Sequence, residues 1–260
     1  MDARARLART LPLALLDADP AGGADRLAAF RWLASAAPVT WTLNEQIASR
    51  IGDRILSGTL APGAWLREQD LAAEFGVSRG PIRDAFQLLQ REGLVQVHPR
   101  RGAQVTVLSA REVRDIFAIR ATLFRMVARL LAEQRDPAYV AALEEGVAVL
   151  ARLAVPGADS DEYARTVFRL SLYSASACGN ERLCNILTSL SLQTYRYSRI
   201  GLASAARRKR SLALWKSTLA AIRAGDADRA ERVATQRITE NGAAAEAALL
   251  VNPGVASHVR

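Results

Sequence analysis

The stretch Asp70-Leu-Ala-Ala-Glu-Phe-Gly-Val-Ser-Arg-Gly-Pro-Ile-Arg-Asp-Ala-Phe86 sets the reading of the whole chain. Glu68 to Phe75 predicts a short helix ended by Gly76, which can take the left-handed conformation that a tight turn needs. Ser78 is placed to cap a second helix, and Pro81 fits within that helix's first turn. Ile82, Ala85, Phe86 and Leu89 then make one apolar stripe up to Gly93. Two short helices at a tight turn, the second opening with arginines, is the layout that puts a helix end into the major groove of DNA.

Upstream, Ile47, Ile51 and Ile55 recur at helical spacing before Gly58, and Pro62-Gly63 marks a turn. Downstream, Leu94 to Val97 and Ala103 to Val107 alternate as strands, with His98-Pro-Arg-Arg-Gly102 as the hairpin tip. Residues 41–107 are therefore expected to form a winged helix-turn-helix of three helices plus a two-stranded wing. Ser109-Ala-Arg-Glu112 reads as a capping box that opens a second domain over 109–250. Its first helix is expected to bury Val113, Ile116, Phe117, Leu123, Phe124, Val127, Leu130 and Leu131, with Arg120 interrupting the stripe. Helices follow at about 137–153, 160–177, 181–198, 208–224 and 227–250, punctuated by Gly157, Gly179-Asn180, Gly201 and Gly225-Asp226. The fold class is mostly α: a winged helix-turn-helix joined to an all-helical bundle. Residues 1–40 show no clean period and read as a poorly ordered or atypical extension; 251–260 read as a tail.

The chain has 260 residues, half of them hydrophobic, enough for two cores. Its formal charge is +9, but residues 41–107 carry only +1 of it and residues 108–260 carry +7. DNA affinity in the first domain must therefore come from arginines gathered on one face. No apolar run approaches the roughly 20 residues that span a bilayer, so no membrane partner and a cytoplasmic location are expected. Cys178 and Cys184 are six positions apart and point to different helix faces, which suits two small buried hydrophobes better than a disulfide or a zinc ribbon.

Arg79 and Arg83 lie four apart on one helical face, where each can reach guanine O6 and N7 with two parallel hydrogen bonds. Ser78 and the nearby backbone are expected to take phosphate. Arg100 and Arg101 at the wing tip suit a narrow minor groove, and Gly102 allows close backbone approach. The competing readings are an ion pair of Arg83 with Glu74 or Asp84, and a solvated hairpin tip.

The chain resembles the GntR family of bacterial transcription regulators. The resemblance rests on Gly58-Thr-Leu-Ala-Pro-Gly63, Leu71-Ala72, Gly76-Val-Ser-Arg79, Pro81-Ile-Arg83, Glu92-Gly-Leu94 and Arg101-Gly102 in order and spacing. The second domain resembles the FCD domain of the FadR-like subfamily through Ile119-Arg120, Phe168, Gly179-Asn180 and Ala221-Ile-Arg-Ala-Gly-Asp226. It covers about residues 43–248. The resemblance implies a homodimer on an inverted-repeat operator in double-stranded DNA, usually as a repressor, and places Arg67 near the phosphates. Gly80 departs from the family, which usually has Thr there, so the operator sequence should differ.

Many FCD domains hold a divalent metal through an Asp, a His four residues later, and two further histidines. Those positions map here to Arg165, Arg169, Trp215 and Arg237, and a guanidinium offers no lone pair to a metal. No metal and no other cofactor are expected. Arg237 shares an inner stripe with Ala230, Ala234, Asn241 and Ala248, and Trp215 shares one with Leu212, Leu219 and Ile222. Arg120, Arg165, Arg169 and Arg237, with Trp215, Asn180 and Asn241 alongside, are therefore the candidate site for a small anionic metabolite, a carboxylate or phosphate ester. Internal ion pairs and plain surface exposure are the rival accounts. Arg199, Arg207, Arg208, Lys209 and Arg210 read as a solvated basic loop. The expected function is a DNA-binding regulator controlled by that metabolite, with a ligand-independent regulator, its bundle serving only dimerisation, as the alternative. No Ser/His/Asp arrangement, P-loop or GxGxxG after a strand is found, so an enzyme is not expected.

Overall fold

The computed structural model describes residues 42–251. The extension at 1–40 and nearly all of the tail fall outside them. The described chain forms two compact units, residues 42–109 and 110–251.

The first unit opens with α1 (Leu43–Leu56). Thr42 caps it in a reciprocal box: the Glu45 amide donates to the Thr42 hydroxyl, and the Thr42 amide donates to the Glu45 carboxylate at 2.8 Å. Ile47, Ile51 and Ile55 are buried, as their spacing requires. Strand β1 (Trp65–Leu66) precedes α2 (Glu68–Phe75) and α3 (Arg79–Arg91). Gly76 ends α2 at φ 66°, and Ile82, Ala85, Phe86 and Leu89 turn one face of α3 fully inward. Strands β2 (Val95–His98) and β3 (Gly102–Val105) form the hairpin.

The wing has three strands, not the expected two. The order is β1-β3-β2, antiparallel throughout, with Trp65 opposite Gln104 and Leu66 opposite Ala103. A two-residue strand cannot show alternation in a sequence, yet it gives β3 a hydrogen-bonding partner on each edge. Gly102, at φ 94°, sits where any Cβ would strike the Leu66 carbonyl oxygen.

The second unit is six helices: α4 (Ala110–Gln134), α5 (Pro137–Leu153), α6 (Ser160–Ala177), α7 (Glu181–Gly201), α8 (Ala205–Ala224) and α9 (Ala227–Val251). Helix α9 runs antiparallel along α4, with Arg114 paired to Glu246 at one end and Arg129 to Asp228 at the other. The core side of α4 carries Val113, Phe117, Phe124, Val127 and Leu131, whereas Ile116, Leu123 and Leu130 are only half-buried. Gly201 is the last residue of α7, as the punctuation suggested, and a side chain there would press into Asn241 of α9.

The basic segment is not a solvated loop. Ser204 caps α8, so Arg207 to Arg210 lie in its first turns. Arg208 is buried and donates to the carbonyls of Leu153, Val155 and Ala203, while Arg199 is buried against Asp161. Arg207 and Arg210 share Glu240.

Gly242 of α9 lies where a Cβ would be 2.6 Å from the Phe117 Cβ on α4. Gly242→Ala is expected to destabilise the protein by about 1–3 kcal/mol in urea unfolding. Gly80→Ala, whose Cβ would meet nothing closer than 3.9 Å, is expected to be neutral or slightly stabilising. Equal stabilities for the two variants would contradict the close α4–α9 seat.

Candidate nucleic-acid interface and effector cavity

The exposed face of α3 is built by the same periodicity that buries its apolar stripe. Arg79, Gly80, Arg83, Asp84 and Gln87 remain on the outside. Ser78 caps the helix by backbone geometry only; its hydroxyl makes no capping bond, so it and the first amides of α3 are open to a phosphate. Arg67 holds the equivalent place before α2 and is also exposed.

The α3 arginines are held in place by α2. Arg83 forms a fork on Glu68, Nε to Oε1 at 3.0 Å and Nη2 to Oε2 at 2.8 Å, and remains largely exposed. The guanidinium draws the Glu68 carboxyl below the usual carboxylate range. The ion-pair partner of Arg83 is thus Glu68, at the start of α2, rather than Glu74 or Asp84. Glu74 takes Arg54, and Asp84 accepts from Asn44. Arg79 donates to Gln69 at 3.2 Å. Gln87, one turn after Arg83 on the same face, did not stand out in the sequence.

At the wing, Arg100 and Arg101 are exposed, and Arg100 adopts φ 63°. The close approach that Gly102 permits is that of the Leu66 carbonyl within the sheet. His98 packs on Trp65, ring centroids 4.9 Å apart. Gly102→Ala is expected to cost roughly 2 kcal/mol or more, through a clash and an unfavourable φ. Wild-type stability in that variant, read by thermal unfolding, would count against the three-stranded wing.

In the bundle, a narrow cavity that opens to solvent is lined from five helices. Arg120 of α4, Arg207 of α8, and Arg237 and Asn241 of α9 are among its polar walls; Phe168, Leu214 and Ile238 are among its apolar ones. Arg120 and Arg237 are 4% and 6% exposed, and neither has a carboxylate partner among the described residues. Arg120 donates once, to Thr194 at 2.9 Å, and its Nε is unpartnered. Arg237 lies over the Trp215 ring at 3.5 Å, with Nε and Nη1 unpartnered. Burial, with the nearby charge of Arg237, pushes Arg120 down to about 9; burial pushes Arg237 down to about 10.

The remaining candidates are placed elsewhere. Arg165 pairs with Glu162 at 2.9 Å, and Arg169 lies 3.9 Å from the same carboxylate. Asn180 spends its side-chain oxygen capping α7, on the Leu183 amide. None of the three lines the cavity. Arg207 does, and the loop reading of its segment had hidden it. The positions that carry metal ligands in many FCD domains do not fit a metal here: three are guanidinium groups and the fourth is an indole. Among the described residues no group of three or more His, Cys, Asp or Glu side chains gathers.

A winged helix-turn-helix with arginines outward on its second turn helix, in one chain with a helical domain that holds a cationic cavity, defines a class of DNA-binding regulator. The sequence matches the family model "Bacterial regulatory proteins, gntR family" over residues 43–105 and the FCD domain model over 115–240. The chain belongs to the GntR family and carries an FCD domain.

A relative described as an uncharacterized HTH-type transcriptional regulator, YdhC of Bacillus subtilis (strain 168), is 30% identical over 142 residues, 55% of this chain and 63% of its own. The gluconate operon transcriptional repressor of Bacillus licheniformis is 30% identical over 133 residues, 51% of this chain and 52% of its own. The chain thus matches about half to three-fifths of the length of these relatives. Among solved structures, Escherichia coli McbR/YncC superposes with a TM-score of 0.67 at 22% identity, covering 78% of this chain and 97% of that one. A GntR regulator from Rhodococcus sp. RHA1 gives 0.61 at 23%, covering 80% and 98%. These likenesses establish the fold. No described helix is long and apolar enough to cross a membrane.

Proposed function

We propose that the chain is a repressor that binds an inverted-repeat operator as a homodimer, acts in the cytoplasm, and is controlled by a small acidic metabolite in the bundle cavity. The observation that carries the metabolite is the pair of buried guanidinium groups, Arg120 and Arg237, left without carboxylates beside unoccupied space. Buried like charges repel and are costly until an anion neutralises them. Asn241 supplies a polar wall, and Trp215 holds Arg237 in direction. In the first unit, Arg79 and Arg83 read guanines, Arg67 and Ser78 take phosphates, and Arg100 and Arg101 enter the minor groove. Gly80 leaves the groove face without a hydroxyl. A relative named as an operon repressor supports the sign of control. An effector acts as a coupling free energy: whatever DNA affinity it removes, DNA removes from its own binding.

The test is to select operator fragments from random DNA and then titrate the complex with small organic acids. A saturable change in operator affinity, with a matching change in Trp fluorescence that is absent from Trp215→Phe, is expected. Unchanged affinity across the series would leave a bundle that only dimerises.

A further inference from the structure

We propose that the cavity takes a compact dianion, a short dicarboxylate or a phosphate monoester, with Arg207 as a third charge contact beside Arg120 and Arg237. This rests on the reading of the cavity as the effector site and narrows its ligand. The argument is a charge count. The guanidinium carbons of Arg120 and Arg237 each lie 5.8 Å from the centroid of the Phe124 ring, so two cations gather about one apolar side chain. One negative charge would leave one of them uncompensated in the interior; two would settle both.

Arg207 stands at the same cavity with its Nε unpartnered. Its Nη1 reaches Glu240 only at 3.4 Å. Glu240 does not depend on it: Arg210 donates to that carboxylate at 2.7 and 2.9 Å, and Gln236 at 2.8 Å. Arg207 can therefore turn to a ligand without stranding a carboxylate. Phe168, Leu214 and Ile238 offer apolar surface for a short carbon body.

The full chain is titrated, in a buffer free of phosphate and dicarboxylate, with succinate, glycerol phosphate and butyrate, following melting temperature and Trp fluorescence. Succinate or glycerol phosphate is expected to bind at least on the order of tenfold more tightly than butyrate, and which of the two leads identifies the headgroup. Arg120→Gln or Arg237→Gln is expected to erase that preference, and Arg207→Gln to weaken the dianion about tenfold, with helix content checked by circular dichroism. Butyrate binding as tightly as succinate would overturn the dianion and leave the effector site standing. An unchanged dianion affinity in Arg207→Gln would overturn the third contact. No response of melting temperature or operator affinity to any anion would overturn both this inference and the effector site.

Discussion

Replacing Arg208 by methionine is expected to lower the unfolding free energy by about 3–5 kcal/mol, read by urea or thermal unfolding. The side chain is 3% exposed, and its Nε, Nη1 and Nη2 each donate to a carbonyl: Leu153 at 3.1 Å, Ala203 at 2.6 Å and Val155 at 3.1 Å. Leu153 is the last residue of α5, and Ala203 follows the end of α7. Helix C-terminal ends leave carbonyls without amide partners, and a cation there also complements the negative end of the helix dipole. One guanidinium on α8 thus closes the ends of two other helices. Its own carbonyl accepts from the Tyr163 hydroxyl at 3.0 Å, which ties α6 to the same point. Methionine fills much of the volume and leaves three acceptors without their donor. A loss below about 1 kcal/mol would show that water or backbone movement replaces the guanidinium, and would reduce Arg208 to a packing residue.

Arg79→Ala and Arg83→Ala are each expected to lose roughly 10- to 100-fold in discrimination between the selected operator and a guanine-substituted one. Both guanidinium groups sit on the exposed face of α3, and both are steered by α2, through Gln69 and Glu68. A side chain already held by a neighbour gives up less freedom on binding than a loose one. Glu68 must share or yield Arg83 when a guanine arrives, so Arg83 pays for its contact in part with the fork it leaves. Arg79, held by a single bond to an amide, has less to surrender and is expected to show the larger loss. Random-DNA selection with the three proteins checks this. Identical enriched sequences for all three would remove base reading from α3.

Much of this arrangement was legible in the chain because it rests on local rules. Gly76 and Ser78 announce a turn and a cap whatever surrounds them, and the stripe from Ile82 to Leu89 fixes which side of α3 faces out. Strand β1 was not legible: Trp65–Leu66 is two residues long and exists as a strand only because β3 lies beside it. The arginines divide in the same way. Arg120 and Arg237 interrupt apolar stripes, and the structure buries both. Glu162 stands three residues before Arg165, a spacing that offers an ion pair on one helix face, and that pair is what forms. Arg208 carried no signal, because its partners are carbonyls from distant segments and carbonyls have no residue type. The run from Arg207 to Arg210 therefore looked like a charged loop, and Arg207 was lost from the cavity with it.

Helix α9 is seated without spacers. Gly242 admits the Phe117 side chain from α4, and the bare Gly201 of α7 lies directly on Asn241. A rod seated that closely on two sides has little room to shift alone between α4 and α7. The helix that carries Arg237 spans 25 residues, about 37 Å. The bundle is then geared rather than cushioned at this seat: a displacement of α9 there presses directly on Phe117 and on the α7 backbone at Gly201.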